Sequence, residues 1–373
     1  MNPPETTRPE SLSLPYIQAI APYQPGKPIT ELAREMGLPV DSIVKLASNE
    51  NPLGMSPKAR EAAIKALVEG ERYPDPFTLV TELARKHAVA FGDIVLGNGS
   101  NDVLDLIARV FLDSGRSAIA SQYAFAVYPI ATLSVGAEMV TVPAKNFGHD
   151  LAAFKTVLRP DTRVIWIANP NNPTGTLLSE AELRAFLDGL PEHVIVVLDE
   201  AYHDYLEPKD RYDAIPWVKE FPNLIVVRTL SKIYGLAGLR IGYGIASAPV
   251  ADLMNRVRQP FNCNSPALAA AIAALGDTDF LAQSFACNRQ GMADLMAAFD
   301  RLGLDTIPSS GNFITFQAGK DQDSVAAVNL KLLRQGVIVR PLVGYRMPEW
   351  LRVTIGTEQE NARFIEALEN ALA

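Results

Sequence analysis

The sequence feature that most constrains the fold is a series of short apolar runs rich in valine and isoleucine, separated by amphipathic segments. The apolar character of each run is continuous rather than alternating, which is typical of strands buried on both faces of a sheet. Strands that alternate with helices predict βαβ units, so we expect an α/β fold with a mostly parallel central sheet flanked by helices. The predicted strands lie within residues 93–99, 117–125, 164–175, 194–202, 224–232 and 241–247.

The length of the chain and a change of pattern near residue 266 predict two domains. A chain of 373 residues exceeds the usual size of a single hydrophobic core. We expect residues 49–265 to form a large ligand-binding domain and residues 266–373 to form a smaller α+β domain. The proline-rich residues 1–48 are predicted to be an arm that adds to the smaller domain, which would then be discontinuous in sequence.

Charge and residue usage exclude several classes of protein. With 34 basic and 42 acidic residues the net charge is −8, and an acidic chain without a basic run is a poor binder of nucleic acid or anionic membranes. Two cysteines and four scattered histidines provide neither a disulfide framework nor a metal site. The amino terminus lacks a signal-peptide pattern and the longest apolar stretch, Ala267–Leu275, is too short to cross a bilayer. We therefore expect a cytoplasmic protein.

Polar side chains gather where the predicted strands end. Ligands of open parallel sheets bind at the carboxyl ends of the strands, so these side chains are expected to meet in one crevice. They are Tyr123, Asn172, Asp199, Tyr202, Thr229, Ser231 and Lys232.

Lys232 has the chemistry of a nucleophile. A lysine that enters a partly desolvated crevice loses its proton more easily and can attack an aldehyde, although a Ser-Lys pair alone is more often an ordinary strand end in solvent. Arg240, eight residues further on in a glycine-rich turn, favours the functional interpretation because its guanidinium can bind a phosphate through two hydrogen bonds. The hydroxyls of Thr229 and Ser231 offer two more donors.

The segment GNGSND (97–102) precedes a predicted helix and suggests an anion site. The backbone amides of Gly99, Ser100 and Asn101 would point from the helix start toward an anion, although a plain capped turn explains the same letters. A dinucleotide-binding motif is disfavoured because Asp102 stands where its third glycine is required.

Three further residues have both a functional and a structural interpretation. Asp199 follows the apolar run VIVVL, where a carboxylate needs a partner that could be a protonated ring nitrogen or a structural cation. Asn172 could bind a ligand or simply complete a turn. Tyr123 could stack on a flat cofactor or pack in the core.

Taken together, these segments resemble the fold-type I pyridoxal-phosphate aminotransferases. The matching segments appear in the family's order along nearly the whole chain: GNGSND, Tyr123, NPNNPTG, DEAY, TLSKIYGLAGLRIGY and LRVTIG. Within the superfamily, the segments APYQPG, LASNENPLG, RYPD and VRPL are most similar to those of histidinol-phosphate aminotransferases. Aromatic amino-acid transaminases are the first alternative, and O-phosphothreonine decarboxylases are a more remote one.

The resemblance implies a role for each matching residue around pyridoxal 5′-phosphate. Lys232 would bind the cofactor covalently and carry the proton, Asp199 would pair with the ring nitrogen, and Tyr123 would stack on the ring. Asn172 and Tyr202 would hydrogen-bond the ring hydroxyl. The phosphate would be held by Gly99, Ser100, Asn101, Thr229 or Ser231, and Arg240.

The same resemblance implies the substrates and a homodimer with shared sites. Tyr73 would reach the cofactor phosphate of the neighbouring subunit. Arg352 would bind the carboxylate of glutamate or 2-oxoglutarate and the phosphate of histidinol phosphate in turn, since an arginine fork suits both anions. Arg340 would be a second anion-binding arginine, and Tyr23 would close over the substrate from the arm.

Overall fold

The computed structural model of the chain describes residues 12–373. Residues 1–11, the start of the predicted arm, lie outside the described part. The α-helices are α1 (Pro15–Gln18), α2 (Ile29–Met36), α3 (Pro57–Ala66), α4 (Phe77–His87), α5 (Ser100–Phe111), α6 (Val127–Ser134), α7 (Leu151–Thr156), α8 (Glu180–Leu187), α9 (Ala248–Val257), α10 (Ser265–Leu275), α11 (Thr278–Leu302), α12 (Gln322–Arg334) and α13 (Glu358–Leu372). Short 3₁₀ helices lie at Val40–Ser42, Leu67–Glu69, Phe91–Asp93, His203–Tyr205, Ile215–Lys219, Ala237–Leu239 and Val343–Tyr345.

The strands of the described residues form three sheets. They are β1 (Val44–Lys45), β2 (Ile94–Gly97), β3 (Ser117–Ser121), β4 (Glu138–Val142), β5 (Thr162–Ala168), β6 (Ile195–Asp199), β7 (Leu224–Thr229), β8 (Gly242–Ala246), β9 (Thr306–Ile307), β10 (Phe313–Gln317), β11 (Val337–Ile338), β12 (Arg340–Pro341) and β13 (Trp350–Thr354). The central sheet has seven strands in the order β2-β8-β7-β6-β5-β3-β4.

The central sheet confirms the predicted α/β architecture. Every neighbouring pair is parallel except those of β8, which runs antiparallel to both β2 and β7. The core strands β6 and β7 are buried along their whole length, as their continuous apolar sequences predict. Their register places Ala168 opposite Asp199 and Asp199 opposite Val227, so β5, β6 and β7 end at one edge of the sheet. Polar residues that follow these strands therefore meet there.

Strand β4 is a strand that the sequence analysis missed. It lies at the edge of the central sheet, and its sequence EMVTV is exposed at Glu138 and Thr141. An edge strand of this kind carries no continuous apolar run, which is the pattern by which the inner strands were found.

The C-terminal part of the chain forms a second, antiparallel sheet in the order β12-β13-β10-β9. Residue Arg340 of β12 lies opposite Arg352 of β13 in its register. Strand β1, from the N-terminal part of the chain, pairs in parallel with β11. Leu46 also packs in the same apolar cluster as Phe316 and Phe364. These contacts support a discontinuous small domain, whose boundaries at residues 48 and 265 stay a prediction.

Helix α11 has 25 residues, the greatest length among the described helices. Asn51 donates to Ser284 Oγ of this helix at 2.9 Å, which ties the loop after β1 to α11. Across residues 12–373, no helix combines the length and the apolar character that a membrane crossing needs.

Candidate active site

A cavity of about 340 Å³ opens at the edge of the central sheet where β5, β6 and β7 end. Most of the predicted site residues line it, although they come from widely separated parts of the sequence. They are Tyr23, Ser100, Asn101, Asn172, Asp199, Tyr202, Thr229, Ser231, Lys232, Arg240, Arg340 and Arg352.

Lys232 extends from the loop between β7 and β8 into this cavity. Its Nζ donates to the carbonyl oxygen of Ser48 at 3.3 Å and lies 5.5 Å from the centre of the Tyr202 ring. Burial lowers the pKa of the Lys232 amine to about 8, and the positive charge of Arg352 lowers it further in the same direction. At pH 7 roughly a tenth of the amine is therefore unprotonated and able to react with a carbonyl carbon, far more than of an ordinary lysine.

Asp199 is the last residue of β6 and is buried. Its Oδ2 accepts a hydrogen bond of 2.8 Å from the hydroxyl of Tyr128, and its Oδ1 accepts one of 3.2 Å from the amide of Ala201. Burial raises the pKa of the Asp199 carboxyl to about 6, while the hydrogen bond from Tyr128 opposes the increase. At neutral pH the Asp199 carboxyl is thus mostly ionised and presents a negative charge to a ligand.

The hydroxyl of Tyr202 lies between two amide groups. Asn49 Nδ2 donates to it at 2.9 Å and Asn172 Nδ2 donates at 3.3 Å. Asn49 has a positive φ of 55° and is also fixed by its contacts with Thr354, since its backbone amide donates to Thr354 Oγ1 at 2.9 Å. Tyr202 is therefore held by two segments that are distant from each other in sequence, and its hydroxyl hydrogen is available to a ligand.

Glycines bring the two predicted phosphate-binding segments together. Gly242 pairs with Gly97 on one side and with Thr229 on the other, and a Cβ on Gly242 would collide with the backbone nitrogen of Ser100. Gly99 has a φ of +81°, and a Cβ there would collide with the guanidinium of Arg240. The start of α5, the end of β7 and Arg240 consequently form one cradle of donors, which suits an anion.

Arg352 is a buried cation on β13. Its Nη1 donates to Asn172 Oδ1, its Nη2 donates to the carbonyl oxygen of Ala47 at 3.1 Å, and its guanidinium lies 5.1 Å from the centre of the Phe313 ring. Among residues 12–373, no group accepts a hydrogen bond from the buried Nε of Arg352. A buried donor without an acceptor is costly, so this nitrogen favours an anionic ligand.

Arg340 and Tyr23 are more loosely held than Arg352. The guanidinium of Arg340 lies 5.5 Å from the centre of the Tyr23 ring and donates to the carbonyl oxygen of Gln24. Tyr23 is 49% exposed. The arm therefore reaches the mouth of the cavity through this pair.

Three predicted residues do not line the cavity: Gly99, which nevertheless belongs to the cradle beside it, Tyr123 and Tyr73. Tyr123 packs its ring 6.0 Å from that of Phe147, while Phe125, two residues later, lines the cavity. Strand β3 ends at Ser121, and the turn that follows it directs the second aromatic residue inward. Tyr73 lies on the surface with 80% of its area exposed and stacks on Phe261 at 4.3 Å.

The sequence analysis also missed several residues that line the cavity, five of which carry a neutral polar or aromatic side chain. Ser48 and Asn49 belong to the segment LASNENPLG, which carries part of the family resemblance. The sequence analysis assigned no chemical role to any residue of this segment. Nothing in the local sequence pattern distinguishes the other three from core aromatic residues. The five are Ser48, Asn49, Phe125, Tyr128 and Tyr345.

Comparison with known proteins identifies the family. Residues 41–368 match the model of aminotransferase class I and II. The chain belongs to this aminotransferase family. It is 64% identical to histidinol-phosphate aminotransferase 1 of Dechloromonas aromatica, over 96% of this chain and 98% of that relative. It is 56% identical to histidinol-phosphate aminotransferase 1 of Thiobacillus denitrificans, over 96% of this chain and 93% of that one.

A solved structure shows the same fold in the aminotransferase family. The histidinol-phosphate aminotransferase of Sinorhizobium meliloti, solved in complex with pyridoxal-5′-phosphate, superimposes with a TM-score of 0.87. It is 28% identical in sequence, and the match covers 97% of this chain and 98% of that structure. The predicted fold-type I architecture and the predicted aminotransferase family are therefore confirmed.

Proposed function

We propose that the chain is a pyridoxal-phosphate-dependent aminotransferase that converts L-histidinol phosphate and 2-oxoglutarate into imidazole-acetol phosphate and L-glutamate, a step of L-histidine biosynthesis. The observation that carries the proposal is one cavity in which Lys232, Asp199 and the donor cradle at Arg240 lie together. The names and the 54–64% identity of several relatives support the choice of substrate.

The residues of the cavity fit pyridoxal phosphate group by group. The Lys232 amine suits the aldehyde of the cofactor, and the Asp199 carboxylate suits its ring nitrogen. The cradle formed by the start of α5, the end of β7 and Arg240 suits its phosphate. We assign the ring hydroxyl to Tyr202 and Asn172, which line the cavity and share a hydrogen bond. Phe125 lines the cavity and Tyr123 does not, which favours Phe125 as the aromatic residue that would cover the ring.

The bound cofactor supplies an electron-withdrawing ring that accepts the electron pair released when the substrate Cα loses its proton. The chain provides the groups that make this possible. Asp199 holds a proton on the ring nitrogen by its negative charge. Lys232, with its lowered pKa, accepts the proton from Cα and returns it at C4′ of the cofactor. Arg352 orients the donor by its anionic group.

One arginine can serve both substrates because a carboxylate and a phosphate each present two oxygens that one guanidinium can bind together. The guanidinium of Arg352 can donate two parallel hydrogen bonds to a carboxylate or to a phosphate. Its free Nε is the donor that either anion would satisfy. Arg340 at the mouth of the cavity adds positive charge for the phosphate dianion or for the distal carboxylate of glutamate.

The substrate assignment is tested by ranking amino donors. Purified enzyme should give a higher kcat/KM with L-histidinol phosphate than with phenylalanine or tyrosine, with 2-oxoglutarate as acceptor. A higher value for an aromatic donor would make the chain an aromatic amino-acid transaminase. Release of carbon dioxide from O-phosphothreonine, without amino transfer, would instead indicate a decarboxylase.

We also propose a homodimer with shared sites and a cytoplasmic location. Tyr73 is supported as a residue that acts across subunits by its exposure and by its distance from the cavity of its own chain, which it does not line. Both cysteines are free thiols, which agrees with a reducing compartment.

The shared site is tested by mixing two inactive variants. Subunits with Lys232→Ala and subunits with Tyr73→Ala should regain activity on mixing, because one site of each heterodimer then carries neither change. The expected recovery is about a quarter of the wild-type activity per total site if exchange is random. Proven subunit exchange without any recovery would exclude a role for Tyr73 across the interface.

A further inference from the structure

A buried phenol contacts the carboxylate that faces the cofactor. Tyr128 lies in helix α6 and is 0% exposed, and its hydroxyl donates to Asp199 Oδ2 at 2.8 Å. Burial raises the pKa of this phenol well above its ordinary value, so Tyr128 remains protonated and donates its hydrogen. The other carboxylate oxygen, Oδ1, accepts a hydrogen bond from the Ala201 amide, and Asp199 also lines the cavity.

The position of the Tyr128 ring is fixed by its neighbours rather than by the hydrogen bond alone. Its ring is stacked on Trp166 at 5.4 Å with an interplanar angle of 4°, and Phe125 meets it edge-on at 5.8 Å. Trp166 is itself held by a hydrogen bond from its Nε1 to Thr132 Oγ1 at 3.1 Å. The phenol therefore cannot follow the carboxylate if Asp199 rotates, and it defines one orientation of that carboxylate.

We propose that Tyr128 is a positioning residue that keeps Asp199 ionised and oriented toward the ring nitrogen of the cofactor. The inference rests on the proposed function, because it concerns the same site. A hydrogen bond to a carboxylate stabilises the charged form, and here it opposes the effect of burial on Asp199. Without the phenol, the carboxylate would take up a proton at a higher pH and would turn more freely.

The other charged and titratable groups that face Asp199 do not replace the phenol. Glu200, the next residue, raises the pKa of Asp199, and the positive charge of Lys232 lowers it only weakly. Tyr202 faces the same carboxylate from the loop after β6. Tyr128 is thus the largest of the contacts that favour the ionised form of Asp199.

The test measures binding rather than turnover. Pyridoxamine 5′-phosphate has no aldehyde, so its affinity for the cofactor-free chain reports the ring-nitrogen and phosphate contacts without the reaction at Lys232. Equilibrium dialysis from pH 5 to pH 8.5 gives the dissociation constant for wild type, Tyr128→Phe, Asp199→Asn and the double variant. Tyr212→Phe is the control, since it removes another buried hydroxyl that accepts from Asn169 at 2.8 Å outside the cavity.

The expected result is a loss of affinity with a changed pH profile. Tyr128→Phe should bind pyridoxamine 5′-phosphate roughly ten- to a hundredfold more weakly at pH 7, as for a lost hydrogen bond to a charged group. The pH below which binding weakens should rise by about one unit. In the Asp199→Asn background, removal of the phenol should have little further effect, and Tyr212→Phe should resemble wild type.

Three outcomes distinguish a failure of this inference from a failure of the proposed function on which it rests. Wild-type chain that fails to bind pyridoxamine 5′-phosphate would refute the proposed function itself. Wild-type binding with an unchanged affinity and pH midpoint in Tyr128→Phe would overturn only the role of Tyr128. Equal losses in the Asp199 and Asp199→Asn backgrounds would show that the phenol acts by packing alone.

Discussion

The side chains that line the cavity fall into two groups that differ in origin, and their most different members differ strongly in exposure. The cofactor half, defined as Asp199, Lys232, Tyr202 and Arg240, comes from the loops at one edge of the central sheet. The substrate half, defined as Tyr23, Arg340 and Arg352, comes from the arm and from the C-terminal sheet. Asp199 is 4% exposed, whereas Tyr23 is 49% exposed.

Under the proposed function, this difference separates the part that would perform the chemistry from the part that would select the donor. The cofactor half is fixed because neighbouring parallel strands end together, so its geometry follows from the sheet itself. The substrate half depends on contacts between distant segments, such as the pairing of β1 with β11. Arg352 connects the two halves, since it contacts Asn172 and its charge lowers the pKa of Lys232.

The largest effect should follow from removing the amine of the cofactor half. Lys232→Ala should lower kcat by more than about ten-thousandfold, because the variant loses both the covalent contact and the proton carrier. Borohydride should fix cofactor covalently to wild type at Lys232 and not to the variant, as mass spectrometry of peptides will show. Lys219→Ala, which changes an exposed lysine, is the control. Labelling of another lysine would contradict the assignment.

A smaller loss is expected when the cofactor half keeps its shape but loses its negative charge. Asp199→Asn should lower kcat by roughly a hundred- to a thousandfold, comparable with removing one preorganised electrostatic contact. Asp277→Asn is the matched control, since Asp277 is a buried carboxylate that pairs with Lys58 at 2.8 Å and does not line the cavity. Steady-state kinetics and thermal unfolding should be measured together. A near-normal kcat for Asp199→Asn would make this carboxylate structural.

In the substrate half, a change of geometry without a change of charge should affect both substrates. Arg352→Lys should lower kcat/KM for histidinol phosphate and for glutamate by roughly ten- to a hundredfold each, because lysine cannot make the paired hydrogen bonds. Half-reactions followed by cofactor absorbance separate the two donors. Arg228→Lys, another buried arginine, controls for stability. A loss confined to one donor would mean that the two anions do not share this arginine.

The smallest effect should be selective rather than general. Arg340→Ala should lower kcat/KM for histidinol phosphate and glutamate by up to about fivefold, as is typical of a partly exposed charge. Phenylalanine, whose side chain is neutral, should be affected less. The ratio of kcat/KM values for the two kinds of donor measures this difference. Arg346→Ala, an exposed neighbour, should leave the ratio unchanged.

Residue patterns alone, without the family resemblance, indicated the cofactor half but not the substrate half, for a physical reason. Continuous apolar runs reveal buried parallel strands, and the residues that follow such strands must meet at one edge, as Asp199 and Lys232 do. Periodicity does not give the direction of a strand, so the antiparallel course of β8 was not foreseen. It also does not give the path of a turn, and Phe125 rather than Tyr123 consequently faces the cavity.

Local sequence patterns do not predict contacts between segments that are distant in sequence. The hydrogen bond from Asn49 to Tyr202 joins residues 153 positions apart, and that from Arg352 to Asn172 joins residues 180 positions apart. The family resemblance suggested an anion-binding role for Arg352. Only the folded chain shows that Asn49 donates to Tyr202 and that Tyr128 donates to Asp199.

The placement of Lys232 has a stereochemical consequence. It is the only lysine among the described residues that line the cavity, and its amine approaches from the side of Ser48. Under the proposed function, a single proton carrier fixed at one wall would serve one face of a flat ring, so hydrogen would leave and return on that face alone. The side from which this one side chain enters would then set the handedness of the amino acid that the enzyme forms.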